Sequence, residues 1–320
     1  MKLKRFWVGI ILGLGIVAII AGVYDWNRQT IHHPKVVYQP EVAPKENTAV
    51  GHDKADMSPL PEAKRRVNLL ALGIDNEGDE PGRADSIIVV SANLDSHQVS
   101  IISIPRDTRV SLSGVGLTKI THANAVGEVR GGVHEGTMES VKAVGDLLGI
   151  NINYYAKVNF CGFQKIVDAL GGVQVNLPNA VDDASSNLHL SAGAHYLSGE
   201  EALVLAQVRH DLPGGDFDRQ QNQFYILRGL AGQLLKPSTI SDLPQLLSVM
   251  REDLVDTNMS ISEMVMLGLE FKGIDKETIK YYQLPGQGIS ASDPLVGASV
   301  YYYEPNKEGI NKIVQEVLTR

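Results

Sequence analysis

Three short apolar runs between Val67 and Asp107 constrain the fold of this chain more than anything else in it. Val67–Leu72, Ile87–Ala92 and Val99–Ile104 are rich in β-branched residues, lack helical period and are bounded by turn residues, so each reads as a strand. Polar residues gather at the strand ends. Asp75 follows the first run, Arg83 and Asp85 precede the second, and Arg106 and Asp107 follow the third. Carboxylates and guanidiniums together at the ends of neighbouring strands suit a metal-assisted site for an oxyanion such as phosphate. The plainer alternative is a set of ordinary Asp, Gly and Pro turns whose charges pair on the surface.

From Val67 to the C-terminus strand and helix signals alternate without a repeat or a second linker, the pattern of one α/β domain. Thr137–Leu148 carries an apolar face and ends at Gly149. Phe163, Ile166, Val167 and Leu170 form a helical stripe, stopped by Gly171-Gly172. Ala156–Phe160 and Ile279–Leu284 read as strands, and Val173, Val175 and Leu177 alternate with polar residues as in a half-buried one. Gly199–Gln207, Arg219–Leu235 and Lys307–Leu318 read as helices. In the second of these, Phe224, Leu227, Leu230, Ala231 and Leu234 form a stripe that either packs into the core or lines an apolar groove. The expected fold is a single extracytoplasmic α/β domain, residues 67–320, with a central mixed β-sheet flanked by helices.

The N-terminal part is different. Residues 1–5 carry three positive charges, and Phe6–Tyr24 follows with 19 residues and no charge. As a helix this run spans roughly 28 Å, about the thickness of a bilayer's hydrocarbon core. With aromatic residues near both ends and more positive charge before than after, it reads as a signal anchor at 6–24 with residues 1–5 cytoplasmic. Residues 25–66, interrupted by five prolines, read as an extracytoplasmic linker.

A net charge of −8 and a pI near 5.6 argue against nucleic acid as a partner. The single cysteine, Cys161, has no partner for an internal disulfide and reads as a buried thiol. No CxxC or HExxH spacing suggests zinc. His122 reads as structural, and Arg109 is the weakest basic candidate because it lies beyond the strand end.

Several motifs carry a resemblance. Gly73-Ile74-Asp75, GRADSI (82–87), ISIPRDTRV (102–110) and Lys119-Ile120 resemble the opening motifs of the LytR-CpsA-Psr family. GFQKIVDALGGVQV (162–175), LSGEEALVLAQVR (197–209) and GDFDRQQNQ (215–223) resemble its later motifs, in the right order. The resemblance implies a phosphotransferase that moves a phosphoglycosyl polymer from an undecaprenyl-pyrophosphate carrier onto peptidoglycan, at the muramic acid 6-hydroxyl, as in teichoic acid or capsule attachment. It implies Asp75 and Asp85 as ligands of magnesium, or of manganese in its place. Arg83, Arg106, Lys119, Arg209, Arg219 and Gln223 would bind the pyrophosphate. Read from its own position, Asp107 orients Arg106 or takes a proton, the first being the commoner role for such an acid. The chemistry agrees, since pyrophosphate transfer is mainly positioning and charge neutralisation.

Two positions depart from the family pattern. Gln207 and Asn222 stand where arginine is usual, removing two charge-assisted contacts of about 1.5–3 kcal/mol each. A different donor, another basic residue such as Arg228 or His210, or a weakened paralogue would each accommodate the change. Two further readings stay open: a non-catalytic scaffold or regulator that binds prenyl-pyrophosphate glycans, and a lipid-pyrophosphate hydrolase.

Overall fold

The computed structural model describes residues 36–40, 65–75, 81–184, 186–209, 212–234 and 253–319. The three apolar runs are strands β1 (Arg66–Ile74), β2 (Ala84–Asn93) and β3 (Gln98–Ser103). A hairpin, β4 (Arg109–Leu112) and β5 (Gly116–Lys119), leads into helices α1 (His122–Gly131) and α2 (Val133–Leu148). Next come β6 (Tyr154–Asn159), α3 (Phe160–Ala169) and β7 (Val173–Leu177). A small pair, β8 (Val181–Asp183) and β9 (Leu188–Leu190), precedes β10 (Gly193–Leu197), α4 (Gly199–Gln207) and α5 (Asp216–Leu234). The chain closes with β11 (Asp256–Thr257), α6 (Ile261–Glu270), β12 (Lys280–Gln283), the hairpin β13 (Gly286–Asp293) and β14 (Ala298–Pro305), and α7 (Lys307–Thr319).

Among the described residues, six strands form the central sheet in the order β11-β6-β1-β2-β3-β12. β1 runs parallel to β6, and β3 parallel to β12. The other pairs are antiparallel, so the sheet is mixed as expected. Because side chains alternate across a strand, each strand feeds two cores. Leu70, Leu72, Ile74, Val89 and Ile102 pack with Val141, Val144 and Leu148 of α2 and Ile310 and Val314 of α7. On the opposite face Ile88 and Ile101 pack with Phe224 of α5 and Ile279. Helices thus cover both faces.

The register of β1 against β2 shifts between Gly73 and Ile74. A side chain at Gly73 would bring its Cβ within 3.0 Å of Ser86 Cβ, so the irregularity needs the bare backbone there. It lies just before Asp75 and aims the end of β1.

Helix α2 ends as read, with Gly149 in the left-handed region at φ 66°. Helix α4 has the bounds read from sequence, fixed by a capping box between Ser198 and Glu201. Helix α1 escaped the sequence reading because its apolar face is weak. It packs on α2 through glycines: a Cβ on Gly127 would lie 2.4 Å from the Glu135 carbonyl oxygen. Phe160, read as the end of a strand, starts α3 instead.

Cys161 corrects an expectation. It is exposed, because it falls on the solvent side of α3's first turn while Gly162 and Val167 face inward. Within the stretch read as linker, residues 36–40 are docked on the domain. Val37 and Tyr38 both donate backbone N–H to the Ile152 carbonyl, and the Tyr38 ring lies against Gly145 with its hydroxyl on Asp146. The apolar segment Phe6–Tyr24 lies outside the described residues, and no helix among those residues is long and apolar enough to cross a membrane.

Candidate active site

Between the sheet and helices α3, α4 and α5 lies a cavity of about 490 Å³. Its walls are apolar. Ala71, Leu72 and Ile88 come from the sheet, Phe160 and Phe163 from α3, Leu203 and Ala206 from α4, and Ile226 and Leu227 from α5. The α5 stripe therefore serves both purposes weighed from sequence. Leu227 faces the cavity, whereas Phe224 is buried and stacks on Tyr281 with ring centroids 4.4 Å apart.

Polar residues from distant parts of the chain meet the same cavity: Asp75, Asp85, Ser86, Arg209, Arg219 and Gln223. Five of these were candidates from sequence. Gln223 is locked in place, its Nε2 donating to the Ala206 carbonyl at 3.0 Å and its Oε1 accepting from Ser86 Oγ at 3.1 Å. Ser86 had not been singled out, although it stands within the GRADSI motif.

Arg219 is the most constrained of the group. Only 5% exposed, it donates to the Asp85 carbonyl at 3.0 Å and pairs with Asp216 at 2.6 Å. Burial pushes its pKa down, Asp216 opposes that, and Arg106 adds to it. Its Nε is buried with no hydrogen-bond partner among the described residues. A buried guanidinium with an unfilled donor is costly unless an anion completes it.

A second chain of charges leads away from the cavity. Arg106 donates to Asp85 Oδ1 at 2.7 Å, and its Nε is 3.9 Å from Asp107 Oδ2. Burial acts against the Arg106 charge, but Asp85, Asp107 and Asp216 outweigh it and raise the pKa. Lys119 donates to Asp107 Oδ1 at 2.5 Å, so Asp107 sits between Arg106 and Lys119 and holds both. Arg83 is more open: its side chain is 60% exposed, and its Nε is 3.7 Å from Asp75 Oδ2. The Arg83 backbone N–H also donates to Asp75 Oδ1 at 2.7 Å, closing the loop between β1 and β2.

Arg106, Asp107, Lys119 and Arg83 are thus tied to the cavity residues through ion pairs rather than lining the cavity themselves. Arg109 turns elsewhere, to Glu304 at 3.4 Å and over the Tyr302 ring. The two departures also separate. Gln207 lines the cavity, but Asn222 is buried and is not among the lining residues.

Asp75 and Asp85 are the acids that could hold a divalent cation of the hard, oxygen-loving kind. Both face one cavity, and Asp85 Oδ2 has no hydrogen-bond partner among the described residues. Magnesium takes one or two carboxylates and completes its shell with phosphate and water, which suits two acids better than a full protein cage would. Among the described residues no group of three or more His, Cys, Asp or Glu side chains is placed for a metal.

One supporting cluster was missed from sequence. Lys157 of β6 is fully buried, and its Nζ donates to Glu128 at 2.8 Å, to Asn124 Oδ1 at 2.9 Å and to the Val133 carbonyl at 2.9 Å. Glu128 in turn accepts the Gly82 N–H at 2.9 Å, beside Arg83. A lysine inside the apolar run of β6 was the signal available.

A family model described as the LytR_cpsA_psr family matches residues 35–318. A Bacillus anthracis protein named polyisoprenyl-teichoic acid–peptidoglycan teichoic acid transferase TagU is 33% identical over 305 residues, covering 94% of this chain and 92% of that protein. The Bacillus subtilis protein of the same name is 29% identical, with 83% of each chain covered. Among solved structures, B. subtilis TagV superposes with a TM-score of 0.67 at 30% identity, covering 80% of this chain and 98% of that one. A structure of TagT bound to LIIa-WTA superposes with a TM-score of 0.61 at 26% identity, covering 82% and 94%. With the model match spanning nearly all of the domain, the chain belongs to the LytR_cpsA_psr family.

Proposed function

We propose that this protein is a membrane-anchored phosphotransferase that moves a phosphoglycosyl polymer from a polyisoprenyl-pyrophosphate carrier onto peptidoglycan. The observation that carries the reading is an apolar cavity whose polar end holds Asp75, Asp85, Arg209 and a buried, ion-paired Arg219. An apolar tail joined to a diphosphate has this distribution of surface and charge. The names of the relatives support it, since TagU of both Bacillus species is a polyisoprenyl-teichoic acid–peptidoglycan transferase.

In this reading the prenyl chain lies along Phe163, Leu203, Ile226 and Leu227, and the diphosphate meets Arg209, Arg219 and Gln223. Arg219 cannot swing away, because Asp216 and the Asp85 carbonyl hold it, so its charge is preorganised. Arg106 holds the Asp85 carboxylate, and Asp107 holds Arg106 and Lys119. Magnesium, held by Asp75 and Asp85, would neutralise charge on the phosphate oxygens. The acceptor hydroxyl oxygen bonds to the sugar-linked phosphorus as the phosphorus–oxygen bond to the prenyl phosphate breaks, and the hydroxyl proton leaves to solvent or to the departing prenyl phosphate. Residues 6–24 would anchor the protein, with residues 1–5 in the cytoplasm and the domain outside.

The test uses full-length protein in detergent with a synthetic prenyl-pyrophosphate oligosaccharide, peptidoglycan oligomers and magnesium, read by mass spectrometry. The expected product is a phosphodiester-linked glycan, lost on chelation and in Asp85→Ala. Free sugar phosphate with untouched acceptor would replace this reading with a hydrolase. Donor binding without turnover, unchanged in the variant, would replace it with a scaffold.

A further inference from the structure

The hairpin β13–β14 presents a tyrosine that the site described above does not use. Tyr301 is 52% exposed, yet its ring is held against the sheet. A Cβ on Gly288 of β13 would lie 2.8 Å from Tyr301 Cε2 and 3.2 Å from its hydroxyl. Tyr303 lies in the same way over Gly286 and packs edge-on against Phe217 at 5.4 Å. Covering a strand glycine with an aromatic ring stabilises a hairpin, and that accounts for the buried Tyr303. The same contact holds Tyr301, but there it leaves about half of the residue's surface open.

The position of Tyr301 suggests a use for that open surface. The Tyr303 backbone N–H donates to the Asp107 carbonyl at 2.9 Å, which ties β14 to the charged chain of the site. Tyr301 is two residues back along the strand, about 7 Å away. Burial first, then the nearby Asp107 and Asp216 charges, raise its phenol pKa. The site is therefore ordered: apolar cavity, Asp85 with Arg219, Arg106, Asp107, then Tyr301. In a phosphoryl transfer the attacking and leaving oxygens stand on opposite sides of phosphorus. With the carrier's tail in the cavity, the acceptor approaches from the Asp107 side.

We propose that Tyr301, held flat over Gly288, is the stacking platform for a sugar ring of the acceptor glycan. The inference rests on the transferase reading and adds to it where the acceptor binds. An aromatic face covers the C–H face of a pyranose ring, and the phenol remains free to hydrogen-bond the glycan's polar groups. A ring fixed in advance loses little conformational freedom on binding.

The test uses full-length protein in detergent. A peptide-free peptidoglycan tetrasaccharide is titrated calorimetrically, and acceptor and donor KM are measured separately. Tyr301→Leu is expected to weaken tetrasaccharide binding by about three- to tenfold, as for loss of one stacking contact. Acceptor KM rises by the same factor while donor KM stays within twofold. Tyr301→Phe keeps the ring and most of the affinity. Gly288→Ala, whose new methyl displaces the ring without removing it, changes affinity in the direction of Tyr301→Leu. Equal tetrasaccharide affinity in wild type and Tyr301→Leu, no binding to wild type, or parallel rises in donor and acceptor KM would each overturn the platform. Tetrasaccharide binding that depends on Tyr301, in a protein that transfers nothing, would keep the platform and remove the transferase reading.

Discussion

Asp293 has no exposed surface, yet it is kept ionised by its neighbours. Tyr302 donates to its Oδ2 at 2.7 Å and Thr118 at 2.9 Å, while the Leu295 and Val296 amides donate to Oδ1. Burial works against the charge, but these hydrogen bonds win and its pKa falls below 3.8. Thr118 has a single proton and gives it to Asp293. Its oxygen therefore accepts from His122 Nδ1 at 2.8 Å, which fixes the Nδ1-protonated tautomer. Burial, helped by Lys119 and Arg83, lowers the His122 pKa below 6.5, although Asp293 and Asp107 pull the other way. The folded state thus binds this proton less readily than the unfolded chain, and stability falls as pH drops through about 6.5. The melting temperature is expected to decline between about pH 7 and pH 5 in wild type and to decline less in His122→Gln, as a calorimetric pH series would show. Parallel curves for the two proteins would contradict the assignment. The structural reading of His122 was available from sequence. Its partner was not, because Asp293 lies 175 residues from Thr118 and only the fold brings them together.

At the scale of elements, what sequence could and could not supply follows from how each element is stabilised. Strands β1 to β3 were visible because burial on both faces writes a near-continuous apolar run, and α4 because its capping box is local. Helix α1 was not, since glycine contacts with α2 and polar contacts with β6 hold it in place of an apolar stripe. Those polar contacts carry a function of their own. Glu128 joins Lys157 to Gly82, so a buried ion pair fixes the start of the segment leading to Arg83 and Asp85. Removing either charge alone strands the other in the interior, and Lys157→Met or Glu128→Leu should each cost about 3–5 kcal/mol in chemical denaturation. The double variant should recover most of that stability, since an apolar pair can replace a buried ion pair. Its transfer rate should stay low, because the Gly82 N–H has lost its acceptor. Recovery of both stability and activity would show that the pair serves folding alone.

At the scale of the whole molecule, the sheet separates entry from chemistry. Residues 36–40 dock at Ile152, before β6, whereas Asn159 at the other end of that strand lines the cavity. The candidate residues at its polar end stood out one by one in their motifs, but the cavity did not. Its walls come from β1, β2, α3, α4 and α5, and an apolar residue facing a cavity looks in sequence like one facing a core. At about 490 Å³ the cavity is the size of an ordinary small-molecule site. On the proposed reading a long prenyl chain would outgrow it, and only the part nearest the diphosphate would be enclosed. Leu203→Trp should therefore exclude a few carbons of the tail without touching Arg219 or Asp85. At about 0.8 kcal/mol for each buried methylene, displacing two lowers the efficiency of a long-chain donor roughly tenfold. The affinity of a lipid-free sugar diphosphate, measured by calorimetry, should stay within twofold of wild type. A variant that weakens both ligands equally would mean that the diphosphate site itself had moved. A variant that weakens neither would place the prenyl chain somewhere other than this cavity.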